Sequence, residues 1–482
     1  MPKEFIVAIE LGSSKITGIA GKKNLDGSIS ILAVVQEDSA SCIRKGVVYN
    51  IDKTVMCVTN IVKKLETTLK SKIAQVYVGV GGQSIRSIKN VILREMGGLT
   101  VVTPEMINEL MDQNRNSSYP EQEILDAATQ EYKVDQQYQL DPVGIQCSRL
   151  EGNFLNILWR KQFYRNLNKC FEQAGITIAE MYLAPLAMAD SVPTETEKRS
   201  GCVLVDLGAD TTTVSVYNKN ILRHLAVIPL GGNNITKDIA TLQMEENEAE
   251  RMKLKYGSAY TDNSDIDNSL SLPIDQERNV FSRDFINIVE ARVEEIIENA
   301  WFQVPNEYID KLLGGIVLTG GGSNMKNIER AFRNHTHIEK IRVAKFVTTT
   351  INSNLPEINA QNGRLNTVLG ILEKGDMNCA GEEITGDLFD NGAHEQHESS
   401  TPRTIRQPNE ITGMGIVQTE EEKKAAEEEA RRRREEEEEA ERQRLAEEEA
   451  EARRIKRENS ITNRTWRSMK KFFTDMVKDD AE

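Results

Sequence analysis

No stretch of this 482-residue chain approaches the roughly 18 to 20 consecutive apolar residues that a membrane-crossing helix requires. The first apolar run, Phe5 to Ile9, follows the charged Lys3 and Glu4 and is too short for the core of a secretory signal, so it fits a strand better. Cysteine is sparse. Cys42, Cys57, Cys147, Cys170, Cys202 and Cys379 include no CxxC pair and no histidine at ligand spacing, which argues against a disulfide framework or a zinc site. They read as reduced, mostly buried thiols. Basic charge is in deficit: 60 Lys and Arg against 75 Asp and Glu leave a net charge of -15, the wrong sign for a general nucleic-acid footprint. Aromatics make up only 5 %. The expectation is a cytoplasmic protein that binds no nucleic acid and meets a membrane, if at all, from its surface.

Up to about Gly375, β-branched runs (Val76 to Val80, Val203 to Asp206, Ile316 to Thr319) alternate with helical patterns, which is an α/β signature. From 376 to 419 the chain turns polar and lacks the apolar surface to offset the entropy of ordering, so it reads as a flexible linker. From 420 to 458 it collapses to Glu, Arg, Lys and Ala, with opposite charges at i,i+4 and no apolar seam. That pattern predicts a solvated helix of about 60 Å. Large apolar residues return only at the end, from Trp466 to Val477.

Three strands end in glycine turns. AIELGSSKITGIAG (8–21) is strand, turn, strand, with Gly12 allowing close backbone approach and Ser13, Ser14 and Lys15 as donors at the bend. VLVDLGADTTTVSVY (203–217) repeats the idea with Asp206, Gly208, Thr211 and Thr212, so internal duplication is the simplest reading. GIVLTGGGSNMKNIERAF (315–332) has Gly320, Gly321 and Gly322 followed by a helix expected near Asn324. Taken together, in this order, the three resemble the phosphate-1, phosphate-2 and adenosine motifs of the actin and Hsp70 superfamily. LAPLAMADSV (183–192) and NTVLGILEKG (366–375) resemble its two hinge-crossing segments, and Glu250 with Lys253 stand at i,i+3 where it places groups that touch ribose. The resemblance implies a two-lobed α/β actin-like ATPase fold of duplicated RNase H-like domains. It also implies ATP with Mg2+ held through phosphate and water rather than by direct protein ligation. Glu10 stands where good hydrolysers carry Asp, and Ala209 and Asp210 follow Gly208, so hydrolysis is expected to be slow or absent.

Within the superfamily, LDPVGIQCSRLEGNFLNIL (140–158), the helix start at Val102 to Glu105, IPLGGNNITKDIA (228–240) with Gly232 and Asn233, and AERMKLKYGSA (249–259) resemble the bacterial division family FtsA. On that resemblance 1–85, 164–200 and 366–375 form subdomain 1A, and 86–163 an inserted subdomain 1C that docks downstream division proteins. Residues 201–228 with 315–365 form 2A, and 229–314 form 2B. The family's partner FtsZ would dock its acidic tail on 2B, where Arg283, Arg292 and Lys311 are candidate contacts. Self-association into filaments is implied as well. The terminal segment 461–479 is expected to lie in the plane of an anionic membrane on the cytoplasmic face at the division site. There Trp466, Met469, Phe472, Phe473, Met476 and Val477 form the apolar arc, beside Arg467, Lys470 and Lys471. Rival readings are a PilM-like pilus scaffold and an ATP-hydrolysing enzyme or chaperone of the same fold.

Overall fold

The computed structural model describes residues 4–266 and 269–383. The charged run 420–458, the amphipathic segment 461–479 and the linker beyond Glu383 lie outside the described residues.

The chain opens with three antiparallel strands, β1 (Ile6–Leu11), β2 (Lys15–Lys23) and β3 (Ile29–Asp38). Helix α1 (Ile51–Leu69) follows. Asn50 caps it by accepting from the Lys53 amide, and Val58, Ile61, Val62 and Leu65 form its buried stripe. β4 (Val76–Val80) then returns parallel to β1, completely buried, as its run of apolar residues requires.

The insertion comes next: β5 (Arg86–Val101), α2 (Pro104–Arg115), β6 (Gln122–Val134) and β7 (Gln146–Arg160), with β7 between the other two strands. Thr103 caps α2 and Pro104 opens it, as expected from the sequence. The insertion has a small core of its own, made of Val102, Leu110, Tyr132, Val134, Leu150 and Phe154. Helix α3 (Lys161–Ala174), β8 (Ile178–Leu183) and α4 (Ala184–Ser191) complete the first lobe, whose sheet runs β8-β4-β1-β2-β3 with a short edge strand at Ile351–Asn352.

The opening pattern then recurs. β9 (Cys202–Leu207), β10 (Thr212–Asn218) and β11 (Ile221–Ile228) are antiparallel, and β12 (Gly315–Thr319) returns parallel to β9. Between them lie α5 (Gly232–Ala240), α6 (Glu246–Tyr256) and the long α7 (Ser282–Phe302). Strand alternation divides β9 between two cores: Val203, Val205 and Leu207 face the second lobe's own core, while Leu204 packs with the first lobe. The apolar stripe of α7, with Phe285, Val289, Val293, Ile296 and Ile297, is core.

Three features depart from the sequence reading. The linker expected from 376 begins later, because Ala380–Glu383 pairs as a strand with Ser71–Ile73 and the buried Cys379 donates its amide to the Phe5 carbonyl at 2.8 Å. The helix expected near Asn324 is α8 (Ile328–Thr336); a 3-10 turn occupies Gly321–Asn324, and Asn327 at φ 60° precedes the first helical residue. The insertion's sheet is also continuous with that of the second lobe, Arg86 pairing with Ala226. Side chains reinforce this seam. Ser87 Oγ accepts from the Leu225 amide at 2.8 Å, Gln130 Nε2 donates to the Leu222 carbonyl at 2.8 Å, and Arg223 donates to Glu131 at 3.0 Å.

Candidate functional site

β1 and β9 end alike, in carboxyl–Leu–Gly: Glu10, Leu11, Gly12 and Asp206, Leu207, Gly208. Each glycine closes a turn too tight for a side chain. A Cβ at Gly12 would lie 2.7 Å from the Lys15 carbonyl oxygen, and one at Gly208 2.7 Å from that of Thr211. Glu10 and Asp206 pair across their hairpins with Thr17 and Thr213, so the carboxyls occupy equivalent positions.

At the first turn Ser13 is buried and its hydroxyl accepts from the Gly46 amide at 2.8 Å. Ser39 Oγ donates to the Gly12 carbonyl at 2.6 Å. Ser14 is exposed, and so is Lys15, whose ammonium reaches Gln36 at 3.2 Å. The second turn is tied to the start of α5, with the Gly232 amide donating to the Gly208 carbonyl at 3.0 Å and the Asn233 amide to the Ala209 carbonyl at 2.7 Å. Asp210 accepts from Asn233 Nδ2 at 2.7 Å and from the Lys45 amide of the first lobe at 3.0 Å. Its charge is therefore directed across the lobes, and the repulsion expected from an acidic phosphate turn is answered by these two donors.

Glu250 and Lys253 form an ion pair at 2.6 Å. Lys253, nearly buried, also donates to the Gly232 carbonyl at 3.0 Å and to Thr236 Oγ1 at 2.8 Å, which brings the pair against the second turn. Thr211 remains at the bend. Thr212 departs from expectation: it is fully buried, and its hydroxyl donates to the Leu230 carbonyl at 2.9 Å, so it holds the fold and offers nothing to a ligand.

The third turn packs on the second. Gly320 has φ 82°, and a Cβ there would fall 2.2 Å from Asp206 Oδ1; Gly322 abuts Leu207. Gly321 is different, with only Arg364 side-chain atoms at 3.7 and 3.8 Å from a Cβ, an ordinary contact distance. It is the open face of the turn.

Glu10 and Asp206 feel each other. Burial, and then the Asp206 charge, push the Glu10 carboxyl up to about 8, against a hydrogen bond from Thr367; burial pushes Asp206 up to about 6. Two carboxyls at the ends of duplicated strands, close enough for the charge of one to shift the other, are a ligand set suited to a hydrated cation. Thr367, Thr236 and Lys45 were not singled out in the sequence. Thr367 lay within the hinge segment NTVLGILEKG and Thr236 one turn after Gly232, whereas Lys45 contributes only its backbone. Of the basic residues considered on 229–314, Arg292 is engaged by Asp238 at 2.5 Å and by Glu295, while Arg283 and Lys311 are exposed.

The family profile described as "Cell division protein FtsA" matches residues 203–370, and that of the "SHS2 domain inserted in FTSA" matches 82–158. The curated "Cell division protein FtsA" of Porphyromonas gingivalis is 32 % identical over 332 residues, covering 67 % of this chain and 69 % of that protein. The chain belongs to the FtsA family. The FtsA of Neisseria meningitidis, 32 % identical over 333 residues, covers 68 % of this chain and 80 % of its own length. Among solved structures, the PilM-PilN type IV pilus biogenesis complex gives a TM-score of 0.52 at 13 % identity, over 76 % of this chain and 97 % of that one, a likeness of fold. The fold is thus the actin-like fold of the FtsA family with its inserted subdomain, and the protein is a member of a cell-division family.

Proposed function

We propose that this chain binds ATP with Mg2+ between its lobes, assembles in an actin-like manner and ties FtsZ filaments to the cytoplasmic face of the cell membrane while helping to recruit the division machinery. The observation that carries the nucleotide reading is the pairing of duplicated carboxyl–Leu–Gly turns, with the Gly320–Gly322 turn stacked on the second of them.

The residues present fit the ligand. Glu10 and Asp206, at the ends of equivalent strands, are suited to hold the water shell of a divalent cation. The turns at Gly12 and Gly208, with Ser13, Ser14, Lys15 and Thr211, suit phosphate oxygens. Glu250 and Lys253 beside Gly232 and Asn233 suit ribose, and the open face of Gly321 suits the base. When bound, Mg2+ would supply the positive charge that Glu10, Asp206 and the triphosphate oxygens all lack. Asp210 holds Lys45 across the lobes. Glu10 reaches farther than the Asp of strong hydrolysers, which favours a nucleotide-binding scaffold over an enzyme of high turnover.

Calorimetry with ATP and Mg2+ tests this reading: wild type binds and Gly321→Val binds about 100-fold more weakly. Absence of wild-type affinity, or retention in the variant, would overturn it. The FtsZ contact on 229–314 rests on family membership, with Arg283 and Lys311 as the exposed cations. The membrane anchor rests on the sequence of 461–479. It is tested by flotation with anionic liposomes, where Trp466→Glu with Phe473→Glu should leave the protein unbound.

A further inference from the structure

Beside the Gly12 turn, three of the six cysteines lie close together. Cys42 closes a turn in which its amide donates to the Ser39 carbonyl at 2.9 Å, and its own carbonyl accepts from Tyr49 at 2.9 Å and Asn50 at 3.1 Å, just before α1 begins. Cys57 is on the second turn of α1 and points back at this segment, its thiol 3.7 Å from the Asp38 carbonyl. The Asp38 carbonyl that the Cys57 thiol meets is one residue before Ser39, whose carbonyl the Cys42 amide holds, and the Cys42 thiol lies within interaction range of Cys57. Cys170, on α3, lies behind them with its thiol 3.9 Å from the Ile51 carbonyl. Cys42 and Cys170 are buried, whereas Cys57 is partly exposed and is the sulfur a reagent meets first.

The segment that carries Cys42 also makes three contacts with the cleft: Ser39 Oγ to the Gly12 carbonyl, the Gly46 amide to Ser13 Oγ, and the Lys45 amide to Asp210 of the second lobe. A disulfide needs its sulfurs about 2.05 Å apart, well inside any non-bonded contact. Closing one here must displace something. α1 is a nineteen-residue helix with a packed stripe, whereas the Cys42 segment is a short hairpin with Lys45 and Gly46 both at positive φ, so the hairpin moves.

We propose that Cys42 and Cys57 are a redox-modifiable pair, closed to a disulfide by a low-molecular-weight disulfide, and that closing it weakens nucleotide binding at the Gly12 turn. The second half rests on the nucleotide reading above. The Cys57 thiolate attacks one sulfur of the reagent and expels one reagent thiolate, which takes up the proton Cys57 lost. The resulting mixed disulfide is then attacked by Cys42, which expels the second reagent thiol. Two protein thiols lose two electrons and two protons, and the reagent gains them. Burial, then the neighbouring Cys57, push the Cys42 thiol up to about 11, which makes Cys42 the resolving rather than the attacking sulfur.

The test is incubation of the full chain with oxidised glutathione, followed by tryptic mapping and calorimetry with ATP and Mg2+. Arg44, Lys45 and Lys53 lie between the two cysteines, so the disulfide joins two separate tryptic peptides. The expected result is that Cys42–Cys57 link, a roughly tenfold or greater loss of ATP affinity, and recovery with a reducing thiol. Cys57→Ser should form no such link and should bind ATP equally with and without the oxidant. A Cys42–Cys170 link, or a stable glutathione adduct on Cys57 alone, overturns the pair. A Cys42–Cys57 link with unchanged affinity overturns the coupling. If the reduced protein fails to bind ATP, the cleft reading fails and the coupling with it, while the peptide map still decides the pair.

Discussion

The two hairpin turns of the duplicated lobes share a backbone and differ in what they do with it. In the first, Gly12 is followed by Ser13, Ser14 and Lys15, so the bend presents donors. In the second, Gly208 is followed by Ala209, Asp210 and Thr211, and the bend presents an acceptor that grips the Lys45 amide of the opposite lobe. Duplication preserved the geometry, down to the 2.7 Å that would separate an added Cβ from the i+3 carbonyl oxygen in both. The side chains diverged: Asp210 makes the second turn a tie between the halves, a role no side chain of the first turn takes.

The largest effects should separate backbone geometry from ligand contact. Gly320→Val places a side chain at φ 82° and 2.2 Å from Asp206, and is expected to cost about 3 kcal/mol or more, read as a large fall in Tm. Gly321→Val, one residue on, meets only the flexible Arg364. It should leave stability within about 0.5 kcal/mol while reducing ATP affinity by about 100-fold. Equal loss of stability in both variants would remove the distinction between the two glycines.

Next in size is the pH dependence. A carboxyl whose pKa is higher in the folded than in the unfolded chain contributes stability that is complete below the unfolded value and is lost as pH rises through the folded one. For Asp206 the window runs from 3.8 to about 6, and for Glu10 from 4.5 to about 8. The ligand-free protein should therefore weaken between about pH 4 and 8, by roughly 1.4 kcal/mol per pH unit for each group inside its own window, in denaturant titrations at several pH values. Glu10→Gln should flatten the upper half of that slope. A wild-type profile that is level from pH 6 to 8 would contradict the close approach of the two carboxyls.

Smaller effects sharpen the contrast between neighbouring residues. Thr212→Val leaves the Leu230 carbonyl without its donor and should cost about 1 kcal/mol with ATP affinity unchanged, whereas Thr211→Val should lower affinity with stability unchanged. Asp210→Ala should cost about 1 kcal/mol or less and speed hydrogen exchange at the Lys45 amide, with the first-turn contacts at Gly46 and Ser39 intact.

Much of this was legible because strands and glycine turns announce themselves locally: Val76 to Val80 could be read from five residues, and the Thr103–Pro104 helix start from two. What was illegible depends on partners far along the chain. Thr212 reads as a turn hydroxyl until Leu230, eighteen residues on, claims it. Asp210 reads as an intruder until Lys45 arrives from 165 residues away. The start of α8 was misplaced because GGGSN can begin a helix or form one 3-10 turn, and Asn327 in the left-handed region decides it. The Arg86–Ala226 seam, a single bridge held by Ser87, Gln130 and Arg223, leaves no periodic trace.

That seam gives the molecule a lever. The insertion is threaded into the first lobe by its chain ends, yet its sheet is stitched to the second, so it bridges the two lobes. Any opening stroke must either swing the insertion as an arm with the second lobe or tear the Ser87, Gln130 and Arg223 stitches. In the first case a small rotation at the cleft would become a large sweep at the far end of the insertion, near Gly97 and Gly98.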